Sequence, residues 1–349
     1  MRKIRAVIVA IVVVGSFAAC SSDSKTSTSS SSSSTGSAAS SSAPVPKDVT
    51  VQVGVNDKTK SNIAVIAYMP AKVTVEVGAP VDFVWDGTIE PHSVSFLAPG
   101  QTLPEPGSDP SLFAPTPATG PIDGTTFVNS GLQPLGPAAA TPLSVTFAKA
   151  GTFEFHCVIH PQMLGTVEVV DKGGSGVDTP AAAQQRGATE MAQWLDEGRT
   201  AEAAFAKQAP KQTANADGST TWQVAMGTST AHTDILEFSP SPTNIKPGDS
   251  VTFVNNSTAP HTASFFNKQP PIVDPTNPAT DAAAPGPSPQ TLDDTNLFNT
   301  GLLPPDVPPG AGPPEAARSF TFKVPNAGTY AFVCILHVPS GMASQIIAT

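Results

Sequence analysis

The sequence predicts an all-β protein made of two β-sandwiches, which are joined by a short helical linker and preceded by an export signal and a tether. Apolar and polar residues alternate with a period of two over short runs, which is typical of strands with one buried face. The 349 residues include 37 Pro and 27 Gly, a content that opposes long helices and favours short strands joined by turns. The same order of motifs occurs twice, which predicts two similar domains.

The internal repeat is visible in two motifs of each unit, and the closing motif matches best. A His follows a Pro at Pro91-His92 in the first unit and at Pro260-His261 in the second. Each unit closes with a Gly-Thr-aromatic run that leads to a Cys, at residues 151–157 and 328–334. Since alternation dominates both units, we expect the sheets to be antiparallel.

Composition divides the chain into five segments. They are a lipoprotein signal peptide at 1–19, a Ser-rich disordered tether at 20–47, a first sandwich at 48–171, a helical linker at 172–218 and a second sandwich at 219–349. Within the linker, Thr179-Pro180 is a favourable helix start, because a capping hydroxyl precedes Pro at the first helical position. Gly198 is expected to end this helix and Thr200 to cap a second one.

The N-terminus has the pattern of a lipoprotein signal peptide. Basic residues precede an apolar run from Ala6 to Val14, which is too short to span a bilayer. The following Phe17-Ala18-Ala19-Cys20 resembles a lipobox, in which cleavage before the Cys is followed by acylation of its thiol. The Ser-rich stretch after Cys20 cannot bury a core. We therefore predict a secreted protein that is lipid-anchored at Cys20 to the outer face of the cytoplasmic membrane.

The net charge of −10 opposes binding to nucleic acid. Contact with the membrane is expected through the lipid anchor only. The sequence does not determine the oligomeric state.

Each unit contains one Cys, two His and one Met in a repeated arrangement. The C-terminal part reads C-x2-H-x2-M in the first unit and C-x2-H-x4-M in the second, and the other His lies upstream. The eight predicted ligands are His92, Cys157, His160 and Met163, then His261, Cys334, His337 and Met342. One thiolate, two imidazoles and a weak axial thioether are the ligand set of a type 1 (blue) copper site.

Strand phase places each Cys toward the interior. Phe155 and Cys157 share one face of their strand, and so do Phe332 and Cys334. Two other interpretations are a Cys157–Cys334 disulfide, which export would permit, and zinc in place of copper. Two equivalent core-facing thiols in separate domains disfavour the disulfide, and the soft thiolate–thioether pair favours copper.

Residues 155–163 resemble the ligand loop of amicyanin-like members of the cupredoxin family, and the second loop has plastocyanin-like spacing. The resemblance covers both units. It implies Greek-key β-sandwiches that each hold copper at one end through the four ligands given above. It also implies two coppers per chain, which alternate between Cu(I) and Cu(II), and a role in electron transfer rather than catalysis. The expected partner is therefore a redox partner protein.

Enzymatic and storage functions are the alternatives. A multicopper oxidase needs eight His for its trinuclear cluster, whereas this chain has 6 His in total. Copper nitrite reductases have a His before the type 1 Cys, and His156 occupies that position. Only His156 and His232 remain unassigned, so no three-His site can form within one chain. We interpret His156 as a surface or interface residue and His232 as a solvated loop residue.

Copper storage or delivery would favour Met-rich or His-rich clusters, and the sequence has none.

Overall fold

A computed structural model describes residues 47–104, 109–134, 139–265, 288–293, 298–307 and 312–349. The predicted signal peptide, Cys20 and all but the last residue of the tether lie outside these residues. In the described part, no helix has the length and apolarity that a membrane-spanning segment requires.

The first half of the described chain contains nine strands. They are β1 (Val49–Asn56), β2 (Ile63–Met69), β3 (Lys72–Glu76), β4 (Pro80–Val84), β5 (Ser95–Phe96), β6 (Val128–Asn129), β7 (Leu143–Thr146), β8 (Gly151–His156) and β9 (Leu164–Val170). The strands β3, β4 and β9 alternate between buried and partly exposed positions, as the sequence predicts, whereas all seven residues of β2 are buried.

A single α-helix, α1 (Pro180–Phe205), follows β9. As predicted, Thr179 caps its N-terminus, where the Thr179 Oγ1 atom accepts a hydrogen bond from the backbone N–H of Ala182. The predicted helix end at Gly198 and the predicted second helix capped by Thr200 are both wrong, because α1 continues through both residues. A Cβ atom at Gly198 would lie 2.6 Å from side-chain atoms of both Ile63 and Thr233. Gly198 therefore allows the helix to approach two strands closely and does not end it.

The second half of the described chain repeats the strand pattern. Its strands are β10 (Lys211–Ala214), β11 (Thr220–Ser229), β12 (Thr233–Ser239), β13 (Thr243–Ile245), β14 (Ser250–Asn255), β15 (Ser264–Phe265), β16 (Gln290–Thr291), β17 (Phe298–Asn299), β18 (Ser319–Lys323), β19 (Gly328–Val333) and β20 (Ala343–Ala348).

Each half forms a sandwich, and the two sandwiches share one sheet. The smaller sheets have the strand orders β3-β9-β8-β5-β6 and β13-β20-β19-β15-β17. The larger sheet runs through both halves in the order β16-β18-β14-β11-β12-β2-β1-β4-β7, and β10 pairs with β11. The two halves join where β2 pairs antiparallel with β12, with Ala64 opposite Asp234.

The expectation of purely antiparallel sheets is wrong. In the first half β1 pairs parallel with β4 and β3 pairs parallel with β9, and the second half repeats both pairs as β11–β14 and β13–β20. The reason is topological: the chain crosses from one sheet to the other after β2 and returns with β4 beside β1. Strands joined by such a crossover can run in the same direction.

Each sandwich has its own aromatic core, which extends to the predicted ligands. The first core contains Tyr68, Phe83, Phe96, Phe147 and Phe155 together with Cys157 and Met163. The second contains Phe238, Phe253, Phe265, Phe322 and Phe332 together with Cys334 and Met342. The Cys and Met side chains are thus part of the apolar interior of each domain.

Candidate metal centres

The two upstream His residues are held by backbone bridges. His92 exchanges two backbone hydrogen bonds with Gln133, at 2.8 and 2.9 Å. The indole N–H of Trp85 also donates to the carbonyl oxygen of His92 at 3.1 Å. His261 forms the equivalent bridge with Leu303. Both imidazoles are fully buried, so their backbones and rings have little freedom.

The remaining predicted ligands of the first site lie in the loop between β8 and β9. Cys157 follows β8 directly and Met163 precedes β9. The loop closes through hydrogen bonds from the Cys157 N–H to the Met163 carbonyl oxygen, at 3.2 Å, and from the Met163 N–H to the His160 carbonyl oxygen, at 2.9 Å. A pair of strand ends therefore fixes where this loop begins and returns.

The donor atoms of the first site converge. The Nδ1 atoms of His92 and His160 are 3.1 Å apart, and the Cys157 Sγ atom lies 3.5 Å from Nδ1 of His160. The backbone N–H of Ser93 also points at this sulfur from 3.4 Å. Donors that each lie about 2.0–2.3 Å from one metal ion are separated by distances of this order. The residues therefore fit a single mononuclear ion.

The second site has a similar geometry. The Nδ1 atoms of His261 and His337 are 3.1 Å apart, and the Cys334 Sγ atom lies 3.7 Å and 3.2 Å from them. The backbone N–H of Thr262 points at this sulfur from 3.4 Å. In each site the three donor atoms lie within 4.8 Å of one another.

The longer second loop returns its Met to the equivalent place. The Cys334 N–H donates to the Met342 carbonyl oxygen at 3.0 Å, as Cys157 does to Met163. The two additional residues are accommodated by a short 3-10 turn at Ile335–His337 and by Gly341, whose φ of 85° is in the left-handed region. Met163 and Met342 are both buried, with 1% exposure.

Burial determines the protonation of these side chains. It lowers the pKa of His160 to about 4 and that of His337 to about 3, where the nearby His160 adds to the lowering. Burial likewise raises the pKa of the Cys157 thiol, and that of Cys334 to about 11. At neutral pH the imidazoles are therefore neutral and ready to bind a metal, whereas each thiol must lose a proton first.

The outward-facing ring nitrogens have different partners. Nε2 of His261 lies 2.7 Å from the hydroxyl oxygen of Ser257. Nε2 of His337 lies 3.4 Å from a carboxyl oxygen of Glu90, a residue of the first domain. In contrast, Nε2 of His92 is buried without a hydrogen-bond partner. The surroundings of the two sites are therefore not equivalent.

Sequence reasoning did not identify Glu90 as part of a site. A signal exists, because the residue two positions before the upstream His is Glu90 in the first unit and Ala259 in the second. Burial raises the pKa of Glu90 to about 7. A buried acid that differs between two repeats, beside a ligand, is a position where the repeats can have different functions.

The remaining Cys and His interpretations can be compared with the structure. Cys157 and Cys334 are both free, so the alternative of a disulfide between them is wrong. His156 is partly buried at the end of β8. His232 lies in a turn, as expected, but its ring stacks on Trp194 with centroids 4.4 Å apart. Within the described ranges, the only groups of three or more potential His, Cys, Asp or Glu ligands are the two sites above.

Comparisons with known proteins give one family match and several similar solved structures. Residues 224–349 match the family model of copper-binding proteins of the plastocyanin/azurin family. Similar solved structures include an oxidised amicyanin variant with 21% identity, covering 35% of this chain and 82% of that chain, with a TM-score of 0.23. A reduced variant is 22% identical with the same coverage and TM-score. A variant in the Cu(I) form is 22% identical and covers 37% of this chain and 87% of that chain, again with a TM-score of 0.23.

Proposed function

We propose that the chain is a two-domain member of the cupredoxin family and an electron-transfer protein with one mononuclear type 1 copper centre in each sandwich. The observation that carries the proposal is the convergence of one thiol and two imidazole Nδ1 atoms in each domain. In each case a buried Met closes the same loop. A soft thiolate and thioether with two imidazoles select copper over harder ions.

The proposed ligands are His92, Cys157, His160 and Met163 in the first domain and His261, Cys334, His337 and Met342 in the second. When bound, copper supplies a one-electron Cu(I)/Cu(II) couple. The protein holds the donors in one arrangement, since strand ends and closed loops fix them before any metal enters. Burial of both sulfur atoms excludes water and other thiols, which protects the thiolate and influences the reduction potential.

Metal analysis combined with electron paramagnetic resonance tests this function. Protein loaded with Cu(II) is expected to contain two coppers per chain, both with the narrow hyperfine splitting of type 1 sites. An additional wide-hyperfine signal would favour a catalytic type 2 site, as in a copper nitrite reductase. Copper bound without any narrow-hyperfine signal would contradict the proposal and favour a storage or delivery function.

We also propose that Cys20 is lipidated and anchors the protein to the outer face of the cytoplasmic membrane. The support is the order of basic start, apolar run, lipobox-like residues and Ser-rich tether in the sequence. Replacing Cys20 by Ala is expected to move the protein from the membrane fraction to the soluble fraction. Unchanged membrane association of the C20A variant would contradict lipid anchoring.

A further inference from the structure

The two ligand loops meet at the junction between the domains. The hydroxyl group of Ser340, in the second loop, hydrogen-bonds a carboxyl oxygen of Glu90. The Ser61 hydroxyl donates to the Ser340 carbonyl oxygen at 3.2 Å. In the other direction, the side-chain amide of Gln162, in the first loop, donates to the Thr258 hydroxyl oxygen at 2.8 Å. Each loop thus contacts the segment that precedes the upstream His of the other domain.

Only one of these reciprocal contacts reaches a ligand. The second carboxyl oxygen of Glu90 lies 3.4 Å from Nε2 of His337. The side chains of Glu90 and His337 are only 7% and 8% exposed, so water competes little for this contact. The Nδ1 atom on the other side of the same ring lies 3.2 Å from the Cys334 sulfur. The imidazole therefore lies between a carboxyl group of one domain and the metal site of the other.

We propose that Glu90 of the first domain is a positioning residue for the metal centre of the second domain. Its carboxyl oxygen, 3.4 Å from Nε2 of His337, favours the tautomer with the proton on Nε2, which leaves the Nδ1 lone pair free for a metal. A hydrogen-bond acceptor on this nitrogen also makes the imidazole a stronger electron donor and stabilises the oxidised state of the centre. The effect on the potential rests on the proposed function, but the effect on the tautomer does not.

The same contact links the two centres. Glu90 lies two residues before His92, a ligand of the first centre, with only Pro91 between them. One short segment thus carries a ligand of the first centre and the outer partner of the second. The corresponding residue of the second domain, Ala259, has no carboxyl group. The first domain therefore supplies a carboxyl group to the second centre, but the second domain supplies none from this position to the first centre.

The first test uses metal-free protein with isotopically labelled His. In the wild type, nitrogen chemical shifts are expected to show His337 protonated at Nε2 and unprotonated at Nδ1. The Glu90→Ala variant is expected to populate both tautomers, whereas Glu90→Gln, which keeps an acceptor oxygen, restores the wild-type state. A His337 tautomer that is identical in the wild type and Glu90→Ala would overturn the proposal.

The second test measures reduction potentials in copper-loaded protein. The Cys157→Ser background isolates the second centre, and the Cys334→Ser background isolates the first. Glu90→Ala is expected to change the redox equilibrium of the second centre about tenfold toward the reduced state, or about 59 mV for one electron, while the first centre stays unchanged. Equal shifts at both centres, or no shift at either, would overturn the proposal.

Asp86→Asn is the matched control for charge. Asp86 is an exposed acid of the same loop, and its replacement removes one formal charge from the first domain without touching a ligand. An equal shift in Asp86→Asn would mean that long-range charge, and not contact with His337, controls the potential.

Should Glu90→Ala fail to fold, Glu90→Asp provides the same test, because it shortens the side chain by one methylene. If no variant binds copper, the proposed function fails, yet the tautomer measurement still tests Glu90.

Discussion

The two ligand loops have different lengths but place the same atoms in the same arrangement. The first has two residues between its His and Met and the second has four, yet both pairs of His Nδ1 atoms are 3.1 Å apart. In both, the Cys N–H donates to the Met carbonyl oxygen. The strand ends and this closing hydrogen bond thus determine the ligand geometry, and the additional residues are accommodated outside it.

What differs between the loops is their surroundings. The second site has Ser257 and Glu90 at the outer nitrogens of its two imidazoles, whereas the outer nitrogen of His92 in the first site has no partner. Outer partners orient ligands and tune metal affinity and potential. The two centres should therefore be alike in spectrum and unlike in affinity and potential.

The largest effect expected is from removing either thiolate. Cys157→Ser and Cys334→Ser should each abolish about half of the visible charge-transfer absorption, because each sulfur belongs to a separate site. Absorption of each variant at equal copper loading checks this. Loss of all of the charge-transfer absorption in one variant would contradict the prediction of two separate sites.

Replacing Asp234 tests the junction itself. This carboxyl group, on β12, accepts a hydrogen bond from the Thr258 hydroxyl at 2.7 Å, and burial raises its pKa to about 6. Because the pKa of Asp234 is higher in the folded protein than the usual value, ionisation of this carboxyl group destabilises the folded state as pH rises from about 4 to about 6. At pH 8 this lowers the free energy of unfolding by about 3 kcal/mol, from roughly two pKa units at 1.36 kcal/mol each.

Asp234→Asn should therefore flatten this part of the pH dependence. Denaturant unfolding of metal-free protein at pH 4.5 and pH 8 measures the difference. Because the buried imidazoles also titrate at low pH, the variant must be compared with the wild type at each pH. An unchanged difference between the two pH values would show that Asp234 does not titrate as inferred.

The partners of the outward-facing His nitrogens provide a test of the difference between the two metal centres, with a smaller expected effect. Ser257→Ala removes the partner of His261 and should weaken metal binding at the second centre about 10- to 100-fold. Thr88→Ala at the corresponding place should have little effect on the first centre, because the Thr88 hydroxyl donates to the Glu90 carbonyl oxygen and not to His92. Competition with a chelator measures both affinities. Equal losses would contradict the asymmetry.

The smallest effect expected is the release of protons when metal binds. The thiols are protonated at pH 7, since burial raises the pKa of both, whereas the His ligands are already neutral. Metal binding should therefore release about one proton per site. Calorimetry in two buffers of different ionisation enthalpy gives this number. Release of two or more protons per site would mean that the imidazoles are charged before binding.

Much of the site could be predicted from the sequence because its signals are local. Cys157, His160 and Met163 lie within one loop, and period-two alternation shows which face of the preceding strand is buried. The upstream His residues were found because the motif occurs twice. A hydroxyl followed by Pro likewise predicted the start of α1, although the close packing around Gly198 could not be foreseen.

The junction between the domains could not be predicted in the same way. Alternation shows which face of a strand is buried but not which strand lies at its edge, so the pairing of β2 with β12 has no local signal. The almost entirely apolar sequence of β2 is a partial indication that both of its faces are covered, and all of its residues are indeed buried. The contact between Glu90 and His337 depends on this pairing and was therefore missed.

A crystal structure of the copper-loaded protein, with anomalous scattering recorded at the copper edge, tests the central claim most directly. We expect two copper peaks per chain, each bonded to the Cys and both His of one sandwich and facing the buried Met. A single peak, or a copper bound away from either Cys, would contradict it.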